Sequence, residues 1–164
     1  MKNKNKIMKK ILFIALIILT TSCVSVKTVT YEGEQTTKTI ELASGKNSNY
    51  IKANEWMVET FGNAESVIQF VDKEAGIIKG KYMMYQGQTG SQYTPSTQSY
   101  FAMITLRVKD NAAKIEVDPI NKFTVTNYMG SKIGFTPEMF KISAENLISD
   151  FQINMQNKSE NDNW

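Results

Sequence analysis

Most enzyme chemistry draws on a short list of side chains, and this chain of 164 residues contains no histidine at all. The commonest general base and the commonest metal ligand are therefore missing. Only one cysteine is present, Cys23. Carboxylates are plentiful, and Glu55 and Glu59 fall one turn apart on a predicted helix. Lys52, three residues before Glu55, makes that stretch read as a solvated, charge-balanced face rather than an acid–base pair. The segment "GQTGSQ" at 87–92 has glycines but neither the lysine of a phosphate loop nor a dinucleotide fingerprint, so it reads as the tip of a hairpin.

Cys23 has a different use. Lys2, Lys4, Lys6, Lys9 and Lys10 form a basic leader, Ile11 to Leu19 an uncharged apolar run, and Thr20, Thr21 and Ser22 a small-residue site directly before the cysteine. A membrane-spanning helix needs about 20 apolar residues, so the run is too short to span and reads as an export signal over 1–22. The arrangement resembles the signal of bacterial lipoproteins, which ends in leucine, two small residues and cysteine. Here leucine lies one place further out, at Leu19, and Thr20 holds its usual position. The resemblance implies that Cys23 becomes the first residue and carries a thioether-linked diacylglycerol, commonly with a third chain on its amine. Two or three acyl chains anchor stably where a single chain holds only marginally. In such lipoproteins surface display usually goes with an acidic run after the cysteine; "VSVKTV" has none, and an outer-membrane protein facing the periplasm is expected.

Removing the leader changes the charge. The whole chain carries 19 basic and 16 acidic side chains, and the signal takes five lysines and no acids, leaving 14 against 16, a net of −2. Such a domain lacks the positive field that binds phosphate backbones, so nucleic acid is not an expected partner. With the thiol committed to lipid and no histidine, neither a disulfide nor a metal or other cofactor is expected.

The elements follow from periodicity. Val24 to Gln35 is polar and threonine-rich and reads as the rest of a tether over 23–35, with a single domain over 36–158 and a polar, fraying tail over 159–164. "TTKTIELAS" alternates as a first strand. Tyr50, Ala53, Met57 and Phe61, with Ile51 and Val58 beside them, give one face of a helix over about 49–61, capped at Ser48 or Asn49 and stopped by Gly62. Strands over 66–71 and 77–85 flank the turn "DKEAG", and alternation through 100–109 followed by Asp110-Asn111 and 114–118 repeats the device. Residues 121–135 hold either a short strand or an irregular connection. Thr136-Pro137 opens a last helix whose Phe140, Ala144, Leu147, Ile148, Phe151 and Met155 recur at spacings of three and four.

Strand, helix, four strands and helix predict an α+β domain, an antiparallel sheet with two helices on one face. "ANEWMVETFGNAESVIQFVDKEAGIIKGK" at 53–81 and "ITLRVKDNAAKIEV" at 104–117 resemble a family of exported proteins from Bacteroidota, a domain of unknown function with a TATA-binding-protein-like fold. That resemblance implies the fold and an envelope location, and no activity.

Strict alternation leaves one sheet face open. If Ile78, Tyr82, Ile104, Leu106, Ile115 and Val117 face the helices, the open face carries Val67, Gln69, Val71, Lys79, Lys81, Met83, Tyr85, Phe101, Met103, Thr105 and Arg107. Met, Tyr and Phe mixed with basic groups are a composition found where partners dock. Lys79, Lys81, Met83, Tyr85, Phe101, Met103 and Arg107 are accordingly the candidate contacts for a protein or small-molecule partner. The stretch 85–98, "YQGQTGSQYTPSTQ", is expected to be a long mobile loop in which Tyr93 is the candidate contact. The expected function is a lipid-anchored, non-enzymatic binding or assembly module; the alternative is a carboxylate-dependent envelope hydrolase.

Overall fold

The structure, a computed structural model, describes residues 26–62, 67–91 and 94–157. The signal peptide, Cys23, Tyr93 and the tail over 159–164 lie outside the described residues. The main sheet has five antiparallel strands in the order β2-β6-β5-β4-β3, formed by β2 (Thr36–Glu41), β3 (Ile68–Asp72), β4 (Ile77–Ser91), β5 (Thr94–Lys109) and β6 (Ala112–Pro119). A second sheet, β1-β7-β8, joins β1 (Val26–Tyr31), β7 (Phe123–Tyr128) and β8 (Ser131–Ile133). Helices α1 (Lys46–Phe61) and α2 (Pro137–Gln156) pack side by side on one face of the main sheet, α1 over β4 and β5 and α2 over β2 and β6. The α+β architecture expected from the pattern is the one observed.

The core lies between the helices and the even-numbered positions of β5. Ala102, Ile104, Leu106 and Val108 face Ile78, Ala113, Ile115 and Val117 from the neighbouring strands, all buried. α2 contributes Phe140, Ala144, Ile148, Phe151 and Met155, the three-and-four spacing seen in the sequence. Its start is capped by the Thr136 hydroxyl, which accepts from the Met139 amide at 3.2 Å, with Pro137 in the first turn where its missing N–H costs nothing.

α1 buries the expected Ala53, Met57 and Phe61, with Tyr50 half-buried against the core, and differs at the edges of that face. Asn49, Ala53, Trp56, Met57 and Phe61 are buried, whereas Ile51 and Val58 are exposed. Trp56 sits edge-on to Phe61 and Phe151, at 5.5 and 4.8 Å between ring centroids, and its indole N–H donates to Asp150 at 2.8 Å. That bond satisfies the polar end of an otherwise buried ring and ties the two helices together. Asn49 is no cap. Its amide donates to the carbonyls of Lys109 at 2.8 Å and Ser44 at 3.1 Å, while the helix N-terminus is capped from outside by Asp110, whose carboxylate accepts from the Lys46 amide at 2.7 Å. The helix thus starts three residues earlier than the pattern implied, because its first turn is held by the β5–β6 turn rather than by a local side chain. The stop is as expected: Gly62 adopts φ 61 and its amide returns to the Val58 carbonyl at 3.1 Å.

Two long-range pairings correct the sequence reading. Residues 26–31, taken as tether, form β1, paired along its whole length with β7 from Val26 opposite Tyr128 to Tyr31 opposite Phe123. The segment 121–135 holds two strands, β7 and β8, rather than one or none. Similarly, 85–98 is not a long loop: β4 and β5 stay paired from Gln86 opposite Ser99 out to Ser91 opposite Thr94, so the hairpin extends as an arm beyond the rest of the sheet. Threonine, serine and glutamine lack the apolar alternation that marks a strand, but backbone pairing needs none of it.

Candidate functional site

The open face of the main sheet is built by cross-strand pairs. Lys79 stands opposite Thr105, which stands opposite Glu116; Lys81 opposite Met103 and then Asp118; Met83 opposite Phe101; and Arg107 opposite Lys114. No helix of the described residues covers this side, since both pack on the other. The expected residues Lys79, Lys81, Met83, Phe101, Met103 and Arg107 are therefore brought together on one surface.

Tyr85 is not on it. Between Met83 and Tyr85 the β4–β5 register shifts, the mark of a bulge, and Met84 is the extra residue. Tyr85 consequently pairs with Tyr100 on the helix-facing side and stacks on Phe135 with parallel rings 4.7 Å apart. A second register shift, between Ile68 and Phe70, does the same to β3. Phe70 stands opposite Lys79 on the open face and Val71 opposite Ile78 on the other, the reverse of the alternation read from the sequence. Gly80, on the helix side, would bring any Cβ to within 3.1 Å of the Val67 carbonyl, so Val67 is likewise off the open face. Phe70, 48% exposed, is the open-face residue that sequence reasoning missed. One inserted residue exchanges the two faces of a strand, and nothing in a single sequence marks where the insertion falls.

The electrostatics of the face are uneven. Glu116, 14% exposed at its side chain, accepts from Lys114 Nζ at 2.6 Å and from Arg107 Nε at 3.2 Å. The Lys114 ammonium chiefly, helped by the Arg107 guanidinium and opposed by partial burial, holds the carboxyl below its ordinary pKa. Glu116 is an ionised structural carboxylate there, poorly suited to proton donation near neutrality. Asp118 accepts from Gln35 at 2.9 Å. Lys79 and Lys81, by contrast, have no ion-pair partner among the described residues. Lys81 instead lies over the ring of Phe101, 4.4 Å from its centroid. The result is a paired charge cluster at Arg107–Glu116 beside an apolar group, Met83, Phe101 and Met103, with Phe70 on the edge strand opposite Lys79 and with Lys79 and Lys81 outside any ion pair among the described residues.

Such a surface can bind apolar groups and carboxylates. Among the described residues, no three His, Cys, Asp or Glu side chains come together in a group that could hold a metal ion. Glu55 and Glu59 sit on the exposed side of α1, as their spacing suggested. A separate groove of 430 Å³ lies between the base of the β4–β5 arm and the small sheet, lined by Tyr85, Tyr100, Thr124, Thr126, Ile133 and Phe135 among others.

The fold is shared with proteins of known structure. A DUF4468 family protein from Bacteroides ovatus superposes with a TM-score of 0.50 at 14% identity, covering 77% of this chain and 88% of that one. A TBP-like protein from Parabacteroides distasonis gives 0.48 at 14% identity, covering 76% and 94%. No curated protein matches this chain. Residues 37–122, more than half of the chain and the span from β2 to the end of β6, match the family described as a domain of unknown function (DUF4468) with TBP-like fold, and the chain belongs to that family.

Proposed function

We propose that this protein is a lipid-anchored component of the bacterial cell envelope, held by acylated Cys23 on the periplasmic side of an outer membrane, and that it works without catalysis as a binding or assembly module. The observation that carries the binding role is the apolar surface of Met83, Phe101 and Met103 on the open sheet face, with Lys79 and Lys81 beside it outside any ion pair among the described residues. Phe70 and Met83, 48% and 41% exposed, stand on adjacent strands of a face that no helix of the described residues covers, and Phe101 and Met103 lie beside Met83 and Lys81 there, which makes it apolar surface of the kind a partner covers. A partner of matching chemistry is a protein surface that offers apolar side chains ringed by carboxylates. The anchoring role rests on the basic leader, the apolar run and the single cysteine that follows them.

DNA binding is the reading the fold's namesake suggests, and the residues oppose it. Glu116 and Asp118 stand on the same face as the lysines, and without its leader the chain carries a net charge of −2, 14 basic against 16 acidic groups. A fold does not carry a function with it.

The test is capture from detergent-solubilised membranes with the acylated protein as bait. Phe70→Ser with Met83→Ser should leave the melting temperature within a few degrees, since exposed substitutions usually change stability by less than about 0.5 kcal/mol each, and should lose the partners that the wild type retains. A folded double variant that keeps every partner would remove the open face from the proposal.

A further inference from the structure

The first strand begins at Val26, three residues after Cys23. Three residues of fully extended chain reach about 10 Å. Lipid on Cys23 would therefore hold the amino end of β1 against the headgroups, and no tether long enough to let the domain stand away remains.

The end so held is apolar. Val26, 59% exposed, stands opposite Tyr128, 43% exposed, and Ile133, 56% exposed, stands opposite Thr126 on the same face of the small sheet. Met129, 70% exposed, forms the tip of the β7–β8 turn. Lys27 and Lys132 flank Asn127 in the next row of the ladder, on the other face, where Lys132 pairs with Glu138 at 3.7 Å. An aromatic, a methionine and two aliphatic side chains exposed together at one end of a sheet have the composition of a surface that lies at a membrane interface.

The turn itself points the same way. Its two central residues, Met129 and Gly130, both take left-handed backbone, at φ 48 and φ 83. A two-residue turn of that kind favours Asn-Gly. The β5–β6 turn of this same chain puts Asn111 at φ 61. Methionine at position 129 suits neither the left-handed backbone nor water, and both penalties are accepted at one exposed residue.

We propose that the end of the small sheet formed by Val26, Tyr128, Met129 and Ile133 rests in the headgroup layer of the bilayer that holds Cys23, with Met129 entering the acyl boundary and Tyr128 at headgroup level. This inference rests on the acylation of Cys23. It makes the anchor two-part, acyl chains plus a protein wedge. The β3–β4 turn, at the far end of β4 from the groove beside Ile133, then points away from the membrane.

The test uses the acylated full-length protein in vesicles of phosphatidylethanolamine and phosphatidylglycerol. Met129→Cys, Ile133→Cys and, as a distant reference, Lys73→Cys in the β3–β4 turn are each labelled with a polarity-sensitive fluorophore; a thioether at Cys23 leaves the introduced thiol as the only one. Lipids brominated near the headgroup should quench the probes at 129 and 133 several-fold more than the probe at 73, with their emission shifted to the blue. Equal quenching at all three sites on a vesicle-bound, acylated protein would overturn this inference alone. So would a probe at 129 that is shielded from aqueous iodide yet untouched by brominated lipid, which would mean that a protein or a second copy covers the tip. Mass spectrometry showing Cys23 free of acyl chains would overturn this inference together with the anchoring on which it rests.

Discussion

Glu116 is a carboxylate on the open sheet face whose role is set by its two basic neighbours. Its pairing with Lys114 and Arg107 lowers its pKa in the folded state relative to the unfolded value near 4.5. The pairing therefore stabilises fully above that value and its contribution disappears as the pH falls through the lower, folded-state pKa. Glu116→Gln should flatten the decline in stability as the pH falls below about 4.5 while lowering stability at neutral pH, which urea titrations at several pH values will read. Asn49 is the second informative residue. Fully buried, it bridges α1 to the carbonyls of Lys109 and Ser44, and Asn49→Leu would strand those acceptors. A loss of about 1–3 kcal/mol is expected, seen as a lower urea midpoint at unchanged slope.

Among elements, α2 is where sequence and structure agree most closely, since five apolar positions at helical spacing all reach the core. Phe151→Ala should cost about 3–5 kcal/mol, because the ring packs against Trp56 at the centre of the helix pair. Ile142→Ser, on the outer side of the same helix and 58% exposed, should change stability by less than about 0.5 kcal/mol. The β7–β8 turn predicts the opposite sign. Met129→Asn suits the left-handed position better and should stabilise the isolated domain by roughly 1 kcal/mol, a rise in melting temperature, even as it weakens contact with lipid. β4 carries the other lesson at this scale: its bulge at Met84 turns Tyr85 from the open face to the aromatic cluster of Tyr100, Phe123 and Phe135.

At the scale of the whole molecule, the span that matches the family, 37–122, is not the whole folding unit. It omits α2, which supplies Phe140, Ile148 and Phe151 to the core, and it omits both β1 and β7. A fragment of residues 37–122 should accordingly show no cooperative thermal transition. The chain from 26 to 157 should unfold in one step, because β1 and β7 lie nearly a hundred residues apart in sequence and close the small sheet only when both ends are present.

How much was legible depended on the range of the interaction responsible. The amphipathic stripe of α2, the Thr136-Pro137 start, the Gly62 stop, the "DKEAG" turn and the alternation of β5 are local patterns. Each depends on neighbours within a few residues, so the sequence alone determined the α+β class, the two consecutive hairpins and most of the open face: Lys79, Lys81, Met83, Phe101, Met103 and Arg107. Composition alone also determined that histidine chemistry is absent. Tertiary structure decided the rest. Trp56 is buried because Phe151 and Asp150 arrive from another helix, and Asn49 is buried because Lys109 presents a carbonyl to it. Residues 26–31 became a strand because β7 offered an unpaired edge, and residues 86–91 because 94–99 did. Two bulges moved Tyr85 and Val71 off the open face and Phe70 onto it. A strand's side chains alternate with a period of two, so a single residue accommodated by a neighbouring strand reverses the pattern beyond it. That choice is made by the partner strand.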